Sequence, residues 1–294
     1  MRLTVENISK NYGKKSALSE VNLHMDNGIY ALLGPNGAGK TSLLNIITGI
    51  ISPETGIVRF NGCDINKNRD DFLTSLGYMP QAITFYPNFS ILEMITYIGV
   101  LKGLNKKAAK EEGEKMLKQV NLYNERHKKV KACSGGMKQR LGIAQCLMNS
   151  PSVIIFDEPT AGLDPQERIR FRNAISRLSK DKTVIISTHI VSDIDEIADK
   201  IILLKNGKIL TVSEPTFLCH RLDGMLWQVS VTDVEAIRIT EDYDVHEVRR
   251  KDGKCVLTIC YEKKPFHGAV PVAATLEDAY LYFFKEEGDN AFKL

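Results

Sequence analysis

A glycine-rich segment near the amino terminus has the residue types and spacing of a phosphate-binding loop, GxxxxGK[ST]. Glycines allow backbone N–H groups to close around phosphate oxygens at the start of a helix. Lys40 is expected to reach the β- and γ-phosphates, and the Thr41 hydroxyl is an oxygen ligand of the kind that Mg²⁺ prefers. An ordinary glycine-rich turn is the alternative, and kinases, GTPases and motors share this loop. The segment consists of Gly34, Pro35, Asn36, Gly37, Ala38, Gly39, Lys40 and Thr41, followed by Ser42.

Two adjacent carboxylates follow a run of apolar residues between Val153 and Pro159, with the sequence VIIFDEP. This is the Walker B arrangement, in which Asp157 holds Mg²⁺ directly or through water. Glu158 would then face the attacking water as the general base. A strand end capped by solvated acids is the alternative, and it is common for an isolated Asp-Glu pair.

A third segment, Cys133 to Arg140 (CSGGMKQR), resembles the signature LSGGQ of the nucleotide-binding subunits of ABC transporters. The resemblance implies that Ser134, Gly135 and Gly136 cap the γ-phosphate of a second ATP at the start of a helix. A serine N-cap with glycines in a turn is the alternative. The first position is cysteine instead of leucine, and the last is Met137 instead of glutamine. Neither change removes a phosphate contact, although Met137 cannot make the hydrogen bonds of a glutamine side chain.

Four single residues match positions of the same family, and each also has a simpler interpretation. Tyr12 matches the aromatic residue that stacks on adenine, or is a half-buried tyrosine. Gln81 matches the glutamine that contacts Mg²⁺ and water and links the sheet core to the helical insert, or is an exposed loop amide. Asp164 matches the loop that crosses to the partner subunit, or is an N-cap before Pro165. His189 matches the histidine that contacts the γ-phosphate, although a lone histidine is usually structural.

The resemblance implies an ATPase that uses ATP and Mg²⁺ and works as a pair of subunits. In this fold the phosphate loop and the signature of one chain lie too far apart to touch one ATP. Two ATPase subunits would therefore face each other head to tail, as a homodimer or a heterodimer, and ATP would hold them together until hydrolysis. Each ATP would lie between Gly34 to Ser42 of one subunit and Ser134 to Gly136 of the other. The implied catalytic residues are Lys40, Gln81, Glu158 and His189, and the implied Mg²⁺ ligands are Thr41, Gln81 and Asp157.

The hydrophobic pattern predicts the elements that position these residues. The segment Gly28 to Gly34 predicts a strand buried on both faces, and the apolar residues from Leu43 to Ile50 predict a helix directly after the loop. The runs Val153 to Phe156 and Thr183 to Ser187, separated by the amphipathic segment Gln166 to Ser179, predict a βαβ crossover. A parallel sheet is therefore expected.

Other segments complete the predicted architecture. Met1 to Ile8 and Val21 to Met25 predict strands, and Ser90 to Leu122 predicts an inserted helical subdomain. We expect an α/β protein with a P-loop NTPase (RecA-like) core, a parallel sheet, an antiparallel β subdomain, an inserted helical subdomain and a small C-terminal α+β appendage. The expected domains are an ABC nucleotide-binding domain at 1–211, with its helical subdomain at about 82–148, and the appendage at 212–294.

The appendage is predicted from a change of pattern after about Leu210. Trp227 to Thr232 and Val256 to Tyr261 alternate like half-exposed strands, and Thr275 to Phe284 has the pattern of a closing helix. A stabilising addition without a regulatory role is the simplest interpretation of this segment.

Composition and charge exclude several classes of function. Lysine and arginine (39) nearly balance aspartate and glutamate (36), so a net charge of +3 gives no general electrostatic case for binding nucleic acid or a membrane surface. No apolar run approaches the roughly 20 residues of a membrane-spanning helix, and the amino terminus lacks a secretion signal, so we expect a cytosolic chain. The six cysteines contain no CxxC pair, which argues against a zinc site and a disulfide framework.

The resemblance also favours one kind of transporter. Residues 124–131 (NERHKKVK) contain no acidic, glycine-containing segment before the signature, so the loop typical of fused export proteins is missing and separate transmembrane permease subunits fit better. A tail of about eighty residues is short for the regulatory barrel of carbohydrate importers, which favours bacterial subunits that export drugs, peptides or polymers. Membrane contact would occur only through the permease, at the cytoplasmic face. The alternative is a soluble ABC ATPase of iron–sulfur assembly or another non-transport process.

Overall fold

A computed structural model describes residues 2–177 and 181–285 of the chain. These residues belong to two units, Met1–Val212 and Ser213–Leu294. Within the described residues, no helix has both the length and the apolar character needed to cross a membrane. The strands are β1 (Leu3–Tyr12), β2 (Lys15–Met25), β3 (Gly28–Leu33), β4 (Thr55–Phe60), β5 (Cys63–Asp64), β6 (Leu76–Met79), β7 (Val153–Asp157), β8 (Thr183–Thr188), β9 (Lys200–Lys205), β10 (Lys208–Ser213), β11 (Leu226–Val231), β12 (Asp244–Lys251), β13 (Lys254–Cys260) and β14 (Val270–Pro271). The helices are α1 (Lys40–Ile47), α2 (Arg69–Ser75), α3 (Ile91–Leu101), α4 (Lys106–Gln119), α5 (Gly135–Leu147), α6 (Pro165–Ser176), α7 (Pro215–His220), α8 (Asp233–Asp242) and α9 (Leu276–Phe284).

A six-stranded sheet in the order β10-β9-β3-β8-β7-β6 forms the centre of the first unit. β3, β7 and β8 are buried along their whole length, which is the pattern of parallel strands covered on both faces. β3 pairs in parallel with β8 and β9, and β7 pairs in parallel with β8 and β6. The carboxyl ends of β3, β7 and β8 therefore lie at one edge of the sheet. The predicted phosphate loop, the two carboxylates and His189 follow these three ends.

The helix after the phosphate loop packs on this sheet through an apolar face. In α1, Leu43, Leu44, Ile46 and Ile47 are buried in the core of the first unit. Their spacing puts them on one side of the helix, as the sequence pattern predicts. The prediction was wrong at its end, because α1 stops at Ile47 and Ile50 is exposed beyond it. No side chain caps the first turn of α1, so its first backbone N–H groups are available to the loop side.

An antiparallel sheet in the order β2-β1-β4-β5 forms the second layer of this unit. β1 runs on to Tyr12, past the predicted end at Ile8, and β2 begins at Lys15, before the predicted start at Val21. These extensions are half-exposed and contain polar residues, so their alternation is weak in the sequence. Met1, the first residue of the predicted strand, lies outside the described residues.

The inserted helical subdomain contains α3, α4 and α5, which share one hydrophobic core. Ser90 and Glu93 form a capping box at the start of α3: the Glu93 N–H donates to Ser90 Oγ at 3.1 Å, and the Ser90 N–H donates to Glu93 Oε2 at 2.6 Å. The predicted helical stretch is divided into α3 and α4 at Gly103, which has a φ of 90°. Downstream, α6 fills the predicted βαβ crossover, but the last predicted residue of that segment, Ser179, lies outside the described residues.

The second unit contains an antiparallel sheet in the order β12-β13-β11-β14. β11 and β13 lie within one or two residues of the two predicted strands, and α9 is the predicted closing helix with Thr275 as its N-cap. β12 and α8 were not predicted, because both consist mostly of polar residues. The predicted fold class, α/β with parallel and antiparallel sheets, is confirmed.

Candidate nucleotide site

The phosphate loop between β3 and α1 has a shape that requires glycine at two positions. A Cβ on Gly34 would lie 2.3 Å from the Leu204 carbonyl oxygen, and a Cβ on Gly39 would lie 2.5 Å from the Ala17 carbonyl oxygen. Gly39 also has a φ of 108°, which side chains rarely tolerate. The neighbouring backbone therefore holds this loop tightly in place.

Lys40 is a buried cation enclosed by loop carbonyls and acidic side chains. Its Nζ donates to the Gly34 carbonyl at 2.6 Å and to the Pro35 carbonyl at 3.3 Å, and it lies 4.0 Å from Glu158 Oε1. Burial lowers the pKa of Lys40, while the negative charges of Glu158 and Asp157 act in the opposite direction. A strongly anionic group at this loop would supply the additional negative charge that such a cation favours.

The two carboxylates at the end of β7 are held by β8. Asp157 Oδ1 accepts a hydrogen bond from the Ser187 hydroxyl at 2.5 Å. Asp157 Oδ2 is buried and has no hydrogen-bond partner within the described residues. The Glu158 N–H donates to both the carbonyl and the hydroxyl oxygen of Ser187, each at 3.1 Å. Ser187 is therefore the link that orients both acidic residues, and its role was not predicted.

Glu158 is buried and adopts an unusual backbone conformation. Its φ is 52°, in the left-handed region, which is uncommon for a residue with a side chain and costs about 1–3 kcal/mol. Its Oε2 lies 2.8 Å from Nδ1 of His189, whose side chain is half-exposed. The structure thus brings together three of the predicted catalytic residues, Lys40, Glu158 and His189.

The phosphate loop, Lys40 and Glu158 line a cavity of about 310 Å³, which is within the usual size of a small-molecule site, whereas Asp157 and His189 are not among its lining residues. Tyr12, at the end of β1, is half-exposed on one side of it, and Gln81, which follows β6, is exposed on another. Lys15, at the start of β2, also lines the cavity and was missed in the sequence, although it lies only three residues after Tyr12. The lining residues are Tyr12, Lys15, Ala17, Pro35, Asn36, Gly37, Gly39, Lys40, Thr41, Ser42, Gln81 and Glu158.

The signature segment lies at the start of α5 and outside the residues that line this cavity in the described chain. Ser134 Oγ accepts from the Met137 N–H at 3.3 Å, so the serine is an N-cap. A Cβ added to Gly135 or Gly136 would meet no atom within 4 Å, so these glycines present open backbone. The structure does not bring Ser134, Gly135 and Gly136 to the phosphate loop of the same chain.

Asp164 is also outside the cavity lining. Its side chain caps α6 by accepting from the Glu167 N–H at 2.8 Å, and Pro165 occupies the first turn. This is the simpler of the two interpretations that the sequence allowed. Its side chain is exposed, so it remains accessible to a second molecule.

Comparison with known proteins decides the family. The ABC transporter family model matches residues 18–161. The uncharacterized ABC transporter ATP-binding protein YxlF of Bacillus subtilis is 39% identical over 232 residues, which cover 79% of this chain and 77% of that protein. The chain belongs to the ABC transporter ATP-binding family. It is therefore the ATP-binding and ATP-hydrolysing subunit of an ABC transporter.

Further relatives of this ABC ATPase are similar over most of their length. The linearmycin resistance ATP-binding protein LnrL of Bacillus subtilis is 33% identical, with 85% of this chain and 84% of that protein covered. The bacitracin transport ATP-binding protein BcrA of Bacillus licheniformis is 34% identical, with 82% and 79% covered. A solved dimeric structure of MJ0796, a bacterial ABC transporter cassette, superposes with a TM-score of 0.67 at 28% identity, covering 72% of this chain and 98% of that cassette.

Proposed function

We propose that the loop cavity of this ABC ATPase binds ATP and that its acidic edge carries out the hydrolysis. The observation that supports this most directly is that the phosphate loop, Gln81 and Glu158 line one cavity although they are far apart in the sequence. The backbone N–H groups of residues 34–42 and the ammonium of Lys40 would bind the phosphates. The ring of Tyr12 is exposed beside the loop and offers a π face for the adenine.

The residues at the cavity also fit a Mg²⁺ ion. Asp157 Oδ2 is a buried carboxylate oxygen without a hydrogen-bond partner among the described residues, and a hard cation is a suitable partner for such an atom. Thr41 and Gln81, which line the cavity, add a hydroxyl and an amide oxygen. We assign Asp157, Thr41 and Gln81 as the residues that would hold Mg²⁺, directly or through water. When bound, the ion would neutralise phosphate charge.

Glu158 is proposed as the general base. Its carboxylate faces the cavity, while His189 Nδ1 holds one oxygen at 2.8 Å and Lys40 Nζ lies 4.0 Å from the other. One carboxylate oxygen can accept the proton of an attacking water while the other keeps its contact. His189 is half-exposed at the same edge, where its second ring nitrogen can contact the γ-phosphate. Lys40 would stabilise the charge on that phosphate.

The second half of each site would come from another subunit. Ser134, Gly135 and Gly136 present open backbone at a helix start, yet they do not line the cavity of their own chain. A helix N-terminus with exposed N–H groups binds phosphate well. We therefore propose a head-to-tail pair in which the signature of one subunit covers the ATP of the other, with Asp164 at the crossing. The solved cassette described as dimeric is consistent with such a pair.

We further propose that the pair drives export through separate membrane subunits and is attached to the cytoplasmic face of the membrane by them. Two similar proteins are named for resistance to linearmycin and for transport of bacitracin. A third, from Streptococcus pyogenes, is named for lantibiotic transport and is 37% identical. Proteins of this kind favour transport over the alternative of iron–sulfur assembly, and removal of a toxic compound from the cell over import.

Purification from membranes tests this assignment. The tagged chain is solubilised with detergent, captured, and analysed for copurifying proteins, with the cytosolic fraction processed in parallel. We expect a protein with several membrane-spanning helices in a fixed ratio to the ATPase. Recovery with soluble iron–sulfur scaffold proteins alone, and with no membrane protein, would contradict the transport role.

A further inference from the structure

The second unit contains a partly buried cluster of three metal-ligating side chains, Asp244, His246 and Cys260. β12 and β13 are antiparallel, with Asp244 opposite Cys260 and Val245 opposite Ile259. The next pair joins Glu247 to Thr258, so His246 is the extra residue of a β-bulge. Asp244 and His246 lie two residues apart on β12, and Cys260 is opposite Asp244 on β13. One ligand atom from each of the three side chains lies within 4.8 Å of the others.

The position of the imidazole is fixed by a carboxylate from α9. Asp278 Oδ1 lies 2.9 Å from His246 Nδ1, and an ionised carboxylate can only accept, so Nδ1 carries the hydrogen. The other oxygen of Asp278 accepts from the Thr275 N–H at 2.9 Å and from the Thr275 hydroxyl at 2.6 Å. A carboxylate that orients a histidine in this way is the usual outer partner of a metal-binding imidazole.

The remaining ring nitrogen points at the cluster and has no hydrogen-bond partner within the described residues. His246 Nε2 is buried and makes no hydrogen bond to any described residue, and only 3% of the side chain is exposed. It lies 3.7 Å from Asp244 Oδ2. Leaving such a nitrogen unpaired costs about 1–3 kcal/mol, so an additional ligand at this point would stabilise the unit.

We propose that Asp244, His246 and Cys260 bind one divalent transition-metal ion of the zinc class. Imidazole nitrogen, thiolate sulfur and carboxylate oxygen are the three donors that Zn²⁺ uses. A tetrahedral ion with bonds of about 2.0–2.3 Å places its ligand atoms roughly 3.3–3.8 Å apart, and the Nε2–Oδ2 separation of 3.7 Å is already in that range. Binding would release the Cys260 thiol proton to solvent, and water would complete the fourth position.

The Asp244 carboxylate already forms an ion pair with Lys285. The Lys285 Nζ donates to Asp244 Oδ2 at 2.9 Å. A bound divalent ion would take over this neutralising role at the carboxylate, and the lysine side chain is about half-exposed and can turn toward solvent. The competing arrangement is an imidazolium held between Asp244 and Asp278 as a purely structural ion pair.

Cysteine spacing alone could not reveal this site. The absence of a CxxC pair argues only against ligands that are neighbours in sequence. Asp244 and His246 precede Cys260 by more than a dozen residues, and the antiparallel pairing of β12 with β13 brings them together. Cys260 is not part of a disulfide, so its thiol is available as a ligand.

Zinc titration of the full chain tests the proposal. The protein is stripped with a chelator, supplied with excess Mg²⁺ so that the nucleotide site does not compete, and titrated with Zn²⁺ against a chromogenic chelator. We expect one Zn²⁺ per chain. Loss of the thiolate in Cys260→Ser should weaken binding by more than the roughly 10- to 100-fold that loss of an outer partner costs, and His246→Gln should do the same.

Cys255→Ser is the matched control. Cys255 lies in the same strand, is also buried, and contacts Asp233 instead of the cluster. It should bind Zn²⁺ like the parent protein. Absence of stoichiometric zinc in the parent, unchanged affinity in Cys260→Ser, or an equal loss in Cys255→Ser would each overturn the proposal.

Cobalt gives a second readout that does not depend on the stability of one variant. Co²⁺ bound at the cluster should show a thiolate-to-cobalt charge-transfer band. If Cys260→Ser fails to fold, Asp244→Asn should keep that band with weakened affinity. A cobalt spectrum of the parent protein without the thiolate band would overturn the assignment of Cys260.

Discussion

Ser187→Ala should impair the acidic edge of the nucleotide site without touching any phosphate-binding group. The Ser187 hydroxyl donates to Asp157 Oδ1 at 2.5 Å and accepts from the Glu158 N–H at 3.1 Å, and all three residues are buried. Glu158 keeps its second backbone contact to the Ser187 carbonyl, so the main loss is at Asp157.

The magnitude follows from that loss. A hydrogen bond to a charged group contributes about 1.5–3 kcal/mol, which corresponds to a roughly 10- to 150-fold change in an equilibrium or rate constant. We expect ATP turnover to fall within this range, and the Mg²⁺ concentration for half-maximal activity to rise, because Asp157 is less firmly oriented toward the ion.

The assay is steady-state ATP hydrolysis as a function of Mg²⁺, with thermal unfolding measured on the same samples. Thr183→Val is the matched control, since Thr183 is as buried as Ser187 and lies at the other end of the same strand, β8. Its hydroxyl donates to the Asp26 carbonyl, away from Asp157 and Glu158. This control variant should lose stability but keep the Mg²⁺ dependence. Parent turnover and parent Mg²⁺ dependence in Ser187→Ala would refute the positioning role of Ser187.

Three further substitutions test the loop and its surroundings. Gly39→Ala should lose most nucleotide binding in a fluorescent-nucleotide titration, because its Cβ would lie 2.5 Å from the Ala17 carbonyl oxygen at a φ of 108°; parent affinity would show that the loop adapts. Lys40→Ala should weaken ATP affinity by removing a charge-assisted phosphate contact, measured by calorimetry, and unchanged affinity would contradict its role. Asp164→Ala removes the acceptor for the Glu167 N–H and should lower the free energy of unfolding by about 1 kcal/mol, or the Tm by roughly 2–4 °C. Asp164→Asn should retain most of this stability, because asparagine is also a good N-cap. Equal Tm values for the two variants would exclude the capping contribution.

Elements with strong hydrophobic patterns were predictable from the sequence. β3, β7 and β8 are short apolar runs, and α1 has an apolar face at helical spacing. The type and position of these elements therefore followed from the hydrophobic pattern. β12 and α8 lack that signal because most of their residues are polar. Elements without a hydrophobic pattern are therefore recognised only in the folded chain.

The candidate site was predictable where one segment contains the whole motif. The phosphate loop and the Asp157–Glu158 pair are continuous in sequence, and their backbone chemistry requires glycine and carboxylate at set positions. Ser187 has no local signal, since it acts on a neighbouring strand 30 residues away in sequence. The cluster in the second unit depends on strand register and a bulge, which the sequence does not specify by spacing.

Glu158 is the proposed general base of the ATPase site. Glu158→Gln keeps the shape of the side chain and removes the carboxylate that would accept the proton. The decisive measurement compares ATP affinity and ATP turnover of this variant with those of the parent protein. We predict unchanged affinity, an ATP-dependent dimer that persists, and turnover reduced by about 10²- to 10⁴-fold. Turnover at the parent rate would contradict the assignment of Glu158 as the general base.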